Sequence, residues 1–110
     1  MSMNAHDYVA ELVKRARKAQ KYANNFTQED VDLLTAAVTY SLTKPEKTKM
    51  FAEMLVEESK MGISEDKISK IYGKVWGSYL QMKDKKSVGL LDDNKETGIQ
   101  KWAKPMGVIA

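Results

Sequence analysis

Between Met54 and Tyr72 the chain reads MLVEESKMGISEDKISKIY: the end of one amphipathic helix, a Gly-Ile break and the capped start of another. Apolar Met54 and Leu55, then Met61, fall one and two turns apart on a single face. Gly62 is expected at the C′ position, where a left-handed backbone costs glycine nothing. Ser64 is the expected N-cap, with Glu65 and Asp66 in the first turn, where carboxylates suit the positive helix end. Ile68, Ile71 and Tyr72 resume the apolar stripe. Two helices joined by so short a connection pack as neighbours, and the rest of the chain is built around that hairpin.

Upstream, the spacing predicts a first helix from about Ala5 to Ala23. Asn4 is its N-cap with Asp7 three residues on, and Tyr8, Val9, Leu12, Val13, Ala16 and Ala19 keep helical period. Lys14, Arg15, Arg17, Lys18 and Lys21 gather in its C-terminal half, where the dipole favours cations. They read as a solvated face rather than a phosphate or membrane patch, because no aromatics interleave with them. Asn24 and Asn25 end the helix. Thr27 then caps a second helix, with Asp30 as the reciprocal carboxylate and Phe26 and Val31 as a hydrophobic staple. Its apolar face is Leu34, Ala37, Val38 and Leu42. Thr43-Lys44-Pro45-Glu46 stops that helix and starts a third, since proline suits a first turn and Glu46 can reach back to Thr43. The third helix carries Met50, Phe51, Met54 and Leu55 into the Gly62 break.

The fourth helix, roughly Glu65 to Met82, repeats Ile68, Ile71, Tyr72, Val75, Trp76, Tyr79 and Leu80 at helical spacing. Ser69, Gly73 and Gly77 form a second stripe of small residues. Two glycines inside a helix each cost about 1 kcal/mol, which close approach by another helix or strand would offset. The aromatic row Tyr72, Trp76 and Tyr79 reads as core or interface rather than a ligand platform.

After Lys83-Asp84-Lys85-Lys86 the period changes. Ser87 to Leu91 looks like a strand, Asp92 to Gly98 a polar turn, and Ile99 to Lys104 a half-exposed strand. Residues 87–104 thus form a β-hairpin, which is marginal alone and needs a sheet or another subunit to pair with. Asp92, Asp93 and Asn94 lack the glycine and closing glutamate of a calcium loop, so turn chemistry is the better reading. Val108-Ile109-Ala110 begins an apolar run typical of a buried parallel strand, so 107–110 is expected to be the first strand of a longer sheet, cut short.

Composition removes several functions. The net charge of +3 comes from 18 basic and 15 acidic side chains spread along the chain, a poor footprint for nucleic acid. There is no cysteine, which excludes a disulfide framework, a cysteine-ligated zinc and a thiol nucleophile, and with one histidine a histidine-based metal site or a Ser-His-Asp triad is very hard to build. No signal segment or membrane-length apolar run is present, so a cytoplasmic location is expected.

The stretch Glu57-Glu58-Ser59-Lys60-Met61-Gly62, with Glu65-Asp66-Lys67 and Lys70, resembles the N-terminal region of aldehyde dehydrogenases, and above all the coenzyme-A-acylating branch. Lys86-Ser87-Val88-Gly89-Leu90 looks like the Lys-Thr-Val-Gly segment that starts that family's hairpin. Pro105-Met106-Gly107-Val108-Ile109-Ala110 resembles the Pro-x-Gly-Val-(Val/Ile) signature opening its cofactor-binding sheet. Three such pieces in order are more specific than any one of them. Lys104 and Ser59 depart slightly from the pattern and bear on subfamily more than on family.

The resemblance implies a mainly α chain: about four helices over 5–82, the hairpin, and the start of a Rossmann-like α/β domain. It implies an N-terminal part of an NAD-dependent, CoA-acylating enzyme, in which a cysteine thiolate attacks the aldehyde, hydride passes to the nicotinamide, and coenzyme A releases the acyl group. NAD and coenzyme A would belong to the complete enzyme, and no catalytic, cofactor or metal residue is assigned in these 110 residues. Partners would be the rest of the fold or other subunits of a homo-oligomer, with no nucleic acid and no membrane. The alternative is a stand-alone, non-enzymatic helical module that binds a protein partner through the hairpin edge.

Overall fold

The computed structural model describes residues 4–109. Its elements are α1 (Ala5–Ala23), α2 (Gln28–Thr43), α3 (Pro45–Ser59), α4 (Ser64–Lys70), a π-helical segment (Ile71–Trp76), α5 (Gly77–Met82), β1 (Gly89–Asn94) and β2 (Ile99–Ala103). The expected order of four helical rods and an antiparallel hairpin is observed. The chain divides into two compact units: one takes the residues up to Glu29 and those from Lys86 onward, the other Asp30–Lys85.

In the first unit α1 starts as expected. Asn4 Oδ1 accepts from the Asp7 amide at 2.9 Å, and Asn4 Nδ2 donates to the Asp7 carboxylate at 2.8 Å. At the other end Gln20 Nε2 donates to Asn24 Oδ1 at 2.7 Å, and Asn25 Nδ2 donates to the Lys21 carbonyl at 3.2 Å. The Asn25 side chain thus ties off a carbonyl that the last turn leaves open, while the Asn24 side chain is held by Gln20.

The hairpin pairs Gly89 with Ala103 and Leu90 with Trp102, then slips so that Asp92 faces Lys101. Leu91 is the extra residue of this β-bulge, which bends the strand and resets its alternation. The strand was expected from Ser87, but β1 begins at Gly89. The amides of Ser87 and Val88 both donate to Gln28 Oε1, at 2.8 and 3.1 Å. Consecutive amides of an extended strand point in opposite directions, so two aimed at one oxygen require a bend. β2 is exposed at every position but Ala103, not half-exposed, with Ile99 60% and Trp102 58% accessible.

Asn94, assigned to the turn by sequence, closes β1 and organises the loop with its side chain. Its Oδ1 accepts from the Glu96 and Thr97 amides at 3.0 Å, an Asx turn. Gly98 completes the loop at φ +70°. Gly107, Val108 and Ile109 form no strand, because a parallel strand needs a neighbour and the described residues supply none. Ala110 of the expected 107–110 strand lies outside the described residues.

In the second unit the start of α3 is as read: Pro45 is its first residue, and the buried Thr48 Oγ1 donates to the Leu42 carbonyl at 2.8 Å, joining α2 to α3. Lys44 rather than Thr43 stands at the cap, and the Thr43 hydroxyl turns back to the Thr39 carbonyl instead. The α3–α4 connection also differs in detail. Lys60, not Gly62, takes the left-handed position after the helix, at φ 55°. Ser59 makes this possible: its hydroxyl donates to the Leu55 carbonyl and accepts from the Met61 amide. Gly62 is needed one step later, at φ +77°, where an added Cβ would lie 3.1 Å from the Lys67 stem. Ile63 occupies the extended cap position and Ser64 is already helical, so Ser64 caps nothing.

Which faces turn inward is the largest correction. The buried residues of this unit are Thr39, Thr48 and Ala52. Leu34 and Val38, expected to face the core, are each 51% exposed, and Met54 and Leu55 are also largely open. A threonine can go inside where its hydroxyl finds a carbonyl: Thr48 bonds Leu42 across the helix junction, and the half-buried Thr35 bonds Val31 one turn back at 2.8 Å.

Candidate functional site

The helical rod from Ser64 to Met82 is continuous but not uniformly α. Its π-helical turn, Ile71–Trp76, widens the spacing and sorts the apolar residues into two rows. Ile68, Ile71, Val75 and Tyr79 are half-buried, while Tyr72, Trp76 and Leu80 lie on the exposed flank. Trp76 and Tyr79 touch, ring centroids 5.6 Å apart and tilted by 39°. Gly73 and Gly77 do not meet the close neighbour expected of them: a Cβ added at either has nothing within 4 Å.

On the same unit Leu34, Val38, Val75 and Met82 line an open groove of about 530 Å³, with Lys74 and Ser78 at its polar positions. It is an apolar surface with one cation. Its lining also carries the Thr35 and Thr39 hydroxyls but no carboxylate, imidazole or thiol, and its apolar side chains suit contact with another surface.

The sequence features weighed for function take ordinary places. The basic residues of α1 lie on its solvated side, and Lys14 sits 3.7 Å from Glu11. The acidic turn is held by its own side chains, with Lys95 paired to Asp93 and Asn94 bonding the backbone. Across the strands Lys101 lies 3.6 Å from Asp92, an exposed pair worth at most about 1 kcal/mol. Among the described residues no group of His, Asp or Glu could hold a metal ion.

A dinucleotide lies at the carboxyl edge of parallel strands beside a glycine-rich turn into a helix. The sheet of the described residues has two antiparallel strands. What the molecule presents is a set of uncovered apolar faces: the groove, the Tyr72–Trp76–Leu80 flank, and the hairpin residues Leu91, Ile99 and Trp102. Sequence reasoning missed the groove because it assigned Leu34 and Val38 to the core. The signal available was the threonine run Thr35, Thr39, Thr43, which is amphipathic in the opposite sense.

No protein-family model matches the chain. It is 43% identical over 92% of its length to a sulfoacetaldehyde dehydrogenase (acylating) of Bilophila wadsworthia. It is 37% identical over 93% to a succinate-semialdehyde dehydrogenase (acetylating) of Clostridium kluyveri. It is 38% identical over 89% to the bifunctional aldehyde-alcohol dehydrogenase AdhE of Escherichia coli. The chain spans only part of these relatives: 22% of each of the first two and 11% of the third.

Proposed function

We propose, from the premise that this chain is homologous over about nine-tenths of its length to the N-terminal segment of acylating aldehyde dehydrogenases, that it is the helical N-terminal part of such an enzyme. The reaction of the whole would be aldehyde + CoA + NAD+ to acyl-CoA + NADH + H+, in the cytoplasm. The observation that supports this beyond homology is the inverted burial of the second unit. Thr39, Thr48 and Ala52 are covered, whereas Leu34, Val38, Trp76 and Leu80 are about half exposed. A free-standing domain gains stability by hiding its large apolar groups first. A segment that supports a larger fold keeps them for its neighbours.

The role of these residues is structural. The chain has no cysteine to attack an aldehyde, and its described residues form no dinucleotide seat, so no catalytic step is assigned to it. The open faces of the helices would be covered by the cofactor-binding sheet, and the hairpin would meet another subunit of a homo-oligomer. Alone, the 110 residues should form no NADH from aldehyde, CoA and NAD, and measurable turnover would refute that part of the reading.

The coding sequence beyond the Ala110 codon tests the whole. The expected result is a frame that continues into a glycine-bearing strand–helix unit and, later, a cysteine. A stop followed by unrelated sequence would overturn the reading in favour of a separate module that binds a protein through its hairpin edge. No helix among the described residues is long and apolar enough to cross a membrane. Neither membrane nor nucleic acid is proposed as a partner.

A further inference from the structure

Three bonds between residues 59 and 60 positions apart link the head of α2 to the root of the hairpin. Gln28 Oε1 accepts from the Ser87 amide at 2.8 Å and from the Val88 amide at 3.1 Å, and Gln28 Nε2 donates to Ser87 Oγ at 3.1 Å. A primary amide carries the same donor and acceptor as a peptide group, so Gln28 acts as one peptide unit of a missing third strand. The amides of Ser87 and Val88 lie outside the β1–β2 ladder, and that of Val88 is part-buried, where an unpaired amide is costly. Val88, Gly89 and Leu90 are half-buried, whereas Ile99 and Trp102 further out are exposed.

From this geometry we propose that Gln28 is a clasp that decides whether the β1–β2 hairpin is held as an ordered arm or swings free. Apolar packing contributes little to holding so exposed a hairpin, and a two-stranded ribbon is marginal alone. The clasp also joins the two points at which the chain leaves the first unit for Asp30–Lys85 and returns from it. Once closed, it holds together the ends of a long loop whose closure entropy has already been met. Ser87 completes the device, because its hydroxyl takes the amide's donor while its own N–H uses the acceptor. The inference is independent of whether the chain belongs to an enzyme.

Residue-resolved hydrogen exchange and nanosecond ¹⁵N relaxation on the 110-residue chain test it, with Gln28→Ala and Gln28→Glu beside the parent. Gln28→Ala should speed exchange at Ser87 and Val88 by about tenfold, which corresponds to about 1.4 kcal/mol, within the net range of a single hydrogen bond. It should raise mobility across Gly89–Ala103 and leave the α1 amides as they were. Gln28→Glu keeps acceptor oxygens at the same reach and should keep the protection. Unchanged exchange at Ser87 and Val88 in Gln28→Ala overturns the clasp, as does lost protection with no gain in hairpin mobility. If Gln28→Ala unfolds throughout, Gln28→Glu decides alone: retained protection supports the clasp, and lost protection overturns it.

Discussion

Single residues decide more here by their hydrogen bonds than by their bulk. Thr48 is fully buried, and its hydroxyl serves the Leu42 carbonyl at the α2–α3 junction. Thr48→Val keeps the shape and deletes the bond, leaving a carbonyl of the α2 terminus without it. Urea unfolding should show a loss of about 1–2 kcal/mol. Lys60 is the opposite case, a side chain held at φ 55° where glycine would sit without steric cost. Lys60→Gly should gain about 1 kcal/mol by relieving the left-handed clash. No gain in the same unfolding experiment would mean that the Ser59 bonds already offset the strain.

At the level of elements, the rod from Ser64 to Met82 carries the clearest contradiction between propensity and structure. Gly77 is helical at φ −60°, ψ −42°, and has open space where a Cβ would go. Gly77→Ala should stabilise the chain by about 1 kcal/mol, read as a raised thermal midpoint. A lowered midpoint would reveal a contact at Gly77 that the structure does not show. The neighbouring π-turn separates the apolar side chains into a half-buried row and an exposed one. Strict α spacing would have placed Ile71 and Tyr72 on one common stripe.

For the whole molecule, uncovered apolar surface predicts association. Sedimentation of the purified chain should give a mass that rises with concentration, driven by the groove around Leu34 and Val38 and the Trp76–Leu80 flank. A monomer with a sharp thermal transition independent of concentration would contradict this. The same surface is what a larger fold would use, so the experiment bears on the proposed role as well as on the isolated chain.

Much of this structure could be read from the sequence wherever the deciding forces act within a turn or two. Asn4 and Asp7, Asn25, Pro45 and the polar loop closed by Gly98 all mark boundaries that the structure keeps, because the asparagines and the loop bond backbone groups at their own sites and proline brings no amide to a turn that could not pair it. The helices and the hairpin followed from period alone, and the family resemblance followed from short local motifs. Inward and outward faces were decided by tertiary structure. An apolar stripe states only that something must cover it, and within these residues the cover goes to Thr39, Thr48 and Ala52 instead. The clasp likewise depends on a glutamine meeting an amide pair 59 residues away. No local periodicity encodes that meeting, because it exists only once the chain has folded back on itself.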